Sequence, residues 1–265
     1  MKTIILDKVV AGGTEYTAES NKGIVVEKAG TDKATDVLVT VDGKELMKLR
    51  SDVSPLHLTS QNLLGPLDFR DLPVVVPPFY KYKLGGVTTD KVRLRGRLIL
   101  LEPGDSFPSG HFGRFQEQHN RYFTIERGSY TLAATVAWAK DIEAGIYSRR
   151  LEAFERLVFR HLFLLWDDPT NPFGEGALGL RVYIDEEPID IREFTFANKG
   201  WELYSCLVPK DDSTEESPMD LADQSIALEP NHKIEFRLIA NKDISAHATA
   251  ARVVSLAAVA EYKKF

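Results

Sequence analysis

The feature that most limits what this chain can fold into is its own repetition. Thr131-Leu-Ala-Ala-Thr-Val-Ala-Trp138 is echoed by Ser255-Leu-Ala-Ala-Val-Ala-Glu-Tyr262, with Leu132 and Leu256 lying 124 residues apart. Leu101-Glu-Pro103 returns as Leu228-Glu-Pro230, an offset of 127. Val37-Leu-Val-Thr-Val-Asp-Gly43 returns as Leu180-Arg-Val-Tyr-Ile-Asp-Glu186, with Val41 and Ile184 143 residues apart. The three echoes keep their order at offsets near half of 265 residues, which argues for two copies of one architectural unit. A chain of this length can bury a core in each.

The residues between the echoes read as strands. Residues 3–10 and 24–28 are short apolar runs, and 37–41 alternate before Asp42-Gly43, a tight-turn pair that leads into 44–49. Further strands are expected over 92–101, 121–126, 130–139, 157–165, 180–184, 189–196, 201–208, 234–240 and 251–262. A turn is expected at Arg127-Gly128, and loops over 102–120, 167–176 and 210–223. Leu151, Phe154, Leu157 and Val158 recur at spacings of three and four, which predicts a helix over 141–156. The expected fold is therefore all-β: two tandem jelly-roll β-sandwiches with one or two short helices. The first roll spans 1–140, the connecting helix 141–156 and the second roll 157–265.

One stretch departs from this pattern. Pro55, Pro66, Pro73, Pro77 and Pro78 interrupt residues 51–90, and proline cannot donate to a sheet ladder. The stretch is nonetheless apolar, so it is expected to pack on its own domain or on a neighbouring subunit. Val74, Val75, Val76, Phe79 and Tyr80 are its candidate assembly-interface residues.

Composition narrows the function. With 27% charged residues and a net charge of −6, the chain is an ordinary globular sequence without a basic footprint, so nucleic acid is not expected as a direct partner. The alternating Lys91, Arg93, Arg95 and Arg97 read as the solvated face of a strand. Cys206 is the single cysteine, so no internal disulfide or cysteine metal cluster is available, and it reads as a small apolar filler. Asp7 and Lys8 interrupt the apolar start too early for a signal-peptide core, and no window is long enough to span a membrane as a helix.

Chemistry has one place to sit. His111, Glu117 and His119 lie in a polar, glycine-containing run that vaguely resembles a cupin metal loop. The cupin spacing fails, because Gly113 stands two residues after His111 and His119 lies eight residues away. Hydrolase, zincin, P-loop and dinucleotide motifs are absent from the sequence. His57, His161, His232 and His247 are scattered, and the adjacent acids Asp167-Asp168 and Glu186-Glu187 read as solvated turns. Trp138, Trp166 and Trp201 would suffice for a sugar-stacking platform but sit where buried aromatics are the default.

The alternating valines running into Asp42-Gly43, and a terminal strand 253–262 closing on Tyr262, are similar to features of the double jelly-roll major capsid proteins of membrane-containing icosahedral viruses, the corticovirus and tectivirus type. That resemblance implies a structural, self-assembling virion protein with no enzymatic activity and no cofactor. Its implied partner is itself, as a homotrimer and then a lattice, with other virion proteins and an internal lipid membrane beside it. Its implied location is the virion, after synthesis in the host cytoplasm. Two other readings stand alongside: a β-sandwich that binds glycan or a protein surface, and a cupin-like or hydrolase enzyme built on His111, Glu117 and His119.

Overall fold

The computed structural model describes residues 1–31, 37–49, 67–84, 91–133, 137–166, 178–189, 219–220, 225–240, 243–244 and 252–265. The chain divides into unit 1, Met1–Ile125, and unit 2, Glu126–Phe265. The described residues are mostly strand, with one short helix, arranged in four sheets.

Unit 1 carries nine strands: β1 (Lys2–Ala11), β2 (Glu15–Thr17), β3 (Lys22–Thr31), β4 (Val37–Val41), β5 (Lys44–Leu49), β6 (Leu67–Asp68), β7 (Val74–Val76), β8 (Lys81–Leu84) and β9 (Lys91–Leu100). One sheet runs β1-β9-β3-β6, with β7 also on β3, and the other runs β2-β8-β4-β5. The helix α1 (Ser109–Glu117) follows. Unit 2 holds β11 (Glu143–Arg150), β12 (Glu155–Trp166), β13 (Leu178–Ile184), β14 (Glu187–Pro188), β15 (Met219–Asp220), β16 (Ile226–Leu228), β17 (Lys233–Ala240) and β18 (Arg252–Lys264). β10 (Arg121–Leu132) runs across the division and opens its first sheet. Its sheets run β10-β18-β12-β15, with β16 also on β12, and β11-β17-β13-β14. Strand for strand, this is the order of unit 1 moved nine places along the chain.

Alternation explains which faces are buried. On β9, Val92 and Leu94 point inward, while Arg93 between them and Arg95 after them point out. On β17, Ile234, Phe236 and Leu238 are fully buried, with Glu235 and Arg237 on the opposite face. Phe236 meets Phe159 of β12 edge to face at a centroid distance of 5.2 Å, so the two sheets of unit 2 share one aromatic core. The β4–β5 hairpin turns through Asp42 (φ 52°) and Gly43 (φ 72°), the twist that Asp-Gly favours. The β13–β14 hairpin turns in the same way through Asp185 (φ 49°) and Glu186 (φ 71°), positive values that a non-glycine residue adopts only when held. The Lys233 amide donates to Asp185 Oδ1 at 2.9 Å, and His232 pairs with the same carboxylate, which pins the turn. The third sequence echo therefore marks equivalent hairpins.

Other expectations are corrected. Residues 141–156 form no helix: Glu143–Arg150 is β11, a turn follows, and β12 begins at Glu155. The helical spacing arose because Leu151, Phe154, Leu157 and Val158 straddle the turn between β11 and β12, so their intervals of three and four join a turn to a strand. Phe154, assigned to the buried stripe, is 63% exposed. The division between the units falls at Ile125/Glu126, ahead of both expected boundaries. Arg127-Gly128 is not a turn but the middle of β10. The expected loop over 102–120 contains α1. The Thr131–Trp138 and Ser255–Tyr262 echo joins two segments of the same unit and so is no sign of duplication. Cys206, Trp201, the strand over 201–208, most of the strand over 189–196, His57, His247, the loop over 167–176, most of the loop over 210–223 and the segments 51–66 and 85–90 lie outside the described residues.

Candidate functional site

The expected interface residues separate into two groups. Val74, Val75 and Val76 are not surface residues: at 3%, 0% and 1% exposure they form β7 and pair with Val26, Val25 and Ile24 of β3. Three consecutive apolar residues on a strand fill both faces, and here both are covered. Gln118, just beyond α1, is fully buried and completes the strand. Its Oε1 accepts from the Val75 amide and its Nε2 donates to the Val75 carbonyl, each at 2.9 Å. Arg114 donates to the Pro73 carbonyl at 3.0 Å and to that of Arg121 at 2.9 Å. Only Phe79 of the five is fully presented, 70% exposed in a turn with φ of 70°. Tyr80 is partly covered, its ring 4.6 Å from that of Phe115.

The histidine run does not assemble a metal centre. His111 and Glu117 lie within α1 and His119 just beyond it. Glu117 pairs with Arg121 at 3.3 Å and with Arg114 at 3.7 Å. Burial, reinforced by Arg97, pushes the His111 ring below its ordinary range; burial and Lys44 do the same for His119. No group of three or more His, Cys, Asp or Glu side chains able to hold a metal occurs among the described residues.

The densest polar arrangement that sequence reasoning missed lies on the outer face of β11, β17 and β13. A depression of about 520 Å³ is lined by Glu143, Gly145, Ile146, Tyr147, Ser148, Glu235 and Arg237. Glu143 accepts from Tyr183 Oη at 2.7 Å and from Arg181, while Arg237 Nη1 lies 3.7 Å away. Arg237 donates to Glu235 through Nη2 at 2.5 Å, and its guanidinium lies 4.2 Å above the Tyr183 ring. Hydrogen bonds from Lys233 and Arg237 hold the Glu235 carboxyl below its usual range. Burial and the Glu143 carboxylate push the Tyr183 hydroxyl up. Lys233 and Arg237 thus keep the Glu235 carboxylate ionised, the opposite of what a general acid needs. The bulge at Gly145–Tyr147 builds this surface by re-aiming the strand: Gly145 pairs with outward Arg237, whereas Tyr147 pairs with inward Phe236. The alternating Glu235 and Arg237 were a readable signal; the bulge that brings Glu143 beside them was not.

On the inner side of the same strand, Tyr147 donates to Glu126 at 2.5 Å, and Arg149 pairs with that carboxylate. Burial first, then Glu126, raises the Tyr147 hydroxyl far above its ordinary value. In unit 1, the row of basic residues on β9 lies on an outward strand face, as expected, and its three arginines are ion-paired there. Arg93 holds Asp7 through two bonds of 2.8 Å, Arg95 lies 3.6 Å from Asp7, and Arg97 donates to Glu27 at 2.7 Å.

No protein-family profile and no curated protein sequence matches this chain. Among solved structures it overlaps a chain of the Sulfolobus Turreted Icosahedral Virus at 9% identity and a TM-score of 0.24, covering 99% of this chain and 60% of that one. It overlaps PNGase F, a glycosylasparaginase from Flavobacterium meningosepticum, at 9% identity and a TM-score of 0.33, covering 100% and 96%. It overlaps the major capsid protein P2 of bacteriophage PM2 at 8% identity and a TM-score of 0.30, covering 98% and 97%. A virus component and an enzyme stand side by side at these low scores, so the overlaps decide nothing about function.

Proposed function

We propose that this chain is a structural, self-assembling virion protein, the major capsid subunit of an icosahedral virus of the corticovirus and tectivirus type, built from two tandem jelly rolls. The observation that carries the reading is the strand order repeated in both units. In unit 1, β8 returns between β2 and β4, and β9 returns between β1 and β3; in unit 2, β17 and β18 do the same. A ribbon whose late strands slot back between its early ones on two sheets is what a jelly roll requires, and this supports the reading. Fold alone does not dictate function, but duplication has a geometric use. Three copies of a two-roll chain around a threefold axis place six similar units in a ring, and repeated heterologous contacts of that kind tile a shell.

In this reading the chain performs no catalysis. It associates with itself as a homotrimer and then a lattice, alongside other virion proteins and an internal membrane. It resides in the virion after synthesis in the host cytoplasm, and Phe79 supplies an apolar contact. Light scattering combined with electron microscopy of concentrated protein tests the proposal. A trimer with a hexagonal outline is expected, and a monomer at every concentration overturns it. The depression over Gly145–Ser148 favours a second reading, a module that binds glycan or a protein surface. A monomer whose glycan binding is lost on Arg237→Ala would establish that one instead.

A further inference from the structure

We infer that α1 is an acid-released latch on unit 1, which undocks when the His119 ring takes up a second proton and draws Gln118 off β7. The helix is weak in its own right. Its nine residues include Gly110 and Gly113, Pro108 before it makes no side-chain cap, and its first turn carries no acid. A helix of that length does not stand alone in water, so docking on β7 holds it. Phe115 is buried, its ring 4.6 Å from that of Tyr80 and 5.9 Å from that of His119, which it meets edge to face at 74°. Gln118 is fully buried on the Val75 amide and carbonyl. His119 is the next residue, so whatever drives its ring outward pulls on the Gln118 amide.

The site that holds His119 suits a neutral ring. Its Nδ1 is buried and has no hydrogen-bond partner among the described residues. A neutral imidazole can carry its one proton on Nε2 and leave Nδ1 a bare lone pair. The imidazolium carries a proton on both nitrogens, and Nδ1 then aims a charged donor at no acceptor. The surrounding charges do not repair this. Lys44 of β5 and Arg114 of α1 face the ring as like charges, and Asp42 of the β4–β5 turn, the acid that favours its charge, also serves Lys81. Glu117 is tied to Arg121 and Arg114, and β7 contributes only valines. Burial first, then Lys44, accordingly holds the docked ring below the ordinary value of 6.5 that it regains once detached. Docking is therefore complete above that value and weakens as pH falls through it, because the detached state then binds the proton that the docked state refuses. His111 acts in the same direction, since burial and Arg97, itself held by Glu27 at 2.7 Å, disfavour its charge. Release strips Gln118 from Val75 and uncovers Phe115 beside the Val74–Val76 triplet, which turns a closed sheet edge into an open apolar one.

Hydrogen exchange of the Val75 amide in the full chain, divided by its intrinsic rate at each pH, reads the latch. Between about pH 7.5 and about pH 5.5 its opening constant is expected to rise roughly tenfold, the factor that one histidine titrating freely only when detached supplies. The amides of β9 are expected to stay protected at the lower pH, while binding of an apolar-surface dye increases. His119→Gln keeps a polar side chain that cannot charge and is expected to lose most of the response; His111→Gln is expected to keep most of it. The wild-type His119 ring, followed by proton NMR, gives a reading that needs no variant: a titration midpoint below 6.5 is expected, and one at or above 6.5 overturns the inference. A flat Val75 response, or a full response in His119→Gln, overturns it too. So does opening of β9 together with Val75, because acid would then be unfolding the whole unit instead of releasing its helix.

Discussion

The two units thread their strands identically but finish their sheets with different chemistry. In unit 1 the outer edge of β7 is met by a side chain: the buried Gln118 amide satisfies both the N–H and the C=O of Val75, standing in for one residue of a missing strand. In unit 2 the matching strand is β16, paired with β12 through Leu228, Ala227 and Ile226, and the specific polar links lie elsewhere. There Tyr147 and Arg149 of one sheet reach Glu126 of the other, and Arg149 lies 5.7 Å from the Tyr262 ring, whose hydroxyl donates to Glu155 at 2.7 Å. The lesson is that strand order and polar detail are separable. Turn placement and alternation repeat the order, while each copy satisfies its buried polar groups with residues of its own.

That separation can be attacked from either side. The largest effect is expected in the core: Phe236→Ala removes the ring that meets Phe159 across unit 2 and should cost roughly 4 kcal/mol. Guanidinium unfolding measures the loss, and hydrogen exchange should place it in β12 and β17. Gln118→Leu is expected to cost about 2–3 kcal/mol, since it leaves the buried Val75 amide and carbonyl unpaired. Faster exchange of the Val75 amide checks it, and unchanged exchange would dismiss the strand-substitute role.

The smallest effect is a pH slope. Because burial raises the Tyr147 hydroxyl above its unfolded value, the folded state favours the protonated form. The associated stability is complete below about pH 10, where the unfolded tyrosine begins to ionise, and is lost progressively as pH climbs toward the folded value. Melting temperatures measured from pH 8 to 11.5 should fall less steeply in Tyr147→Phe than in the wild type.

Much of the architecture was legible because short-range chemistry and fold agree. Asp42-Gly43 announced a hairpin, the alternation along β9 announced an exposed basic face, and the apolar run 234–240 announced the strand β17. What failed did so at irregularities. Leu151 through Val158 straddle the turn between β11 and β12 and took on a helical spacing by coincidence, and the bulges at Gly145/Tyr147 and at Phe159/His161 interrupt the period of two on either side. α1 was hidden by Gly110 and Gly113 and by an apolar face with one buried residue, Phe115, although Pro108 before it is a usual helix-start signal. Val74 to Val76 looked like a sticky surface because composition cannot reveal whether a triplet faces solvent or lies beneath a helix. Glu143, Arg181 and Tyr183 come from strands distant in sequence, and no local pattern brings them together.

The place of β9 between β1 and β3 also fixes a timetable for synthesis. While the ribosome is still making the chain, β1 finds no strand partner among the described residues until Lys91–Leu100 emerges, because every residue from Lys2 to Ala11 pairs there. Pairing across so long a stretch is slow, and an unpaired apolar ribbon is prone to stick to whatever is near. The same delay recurs at the end: β10 waits on Arg252–Lys264, so a transcript cut short before that segment would yield a second unit unable to shut.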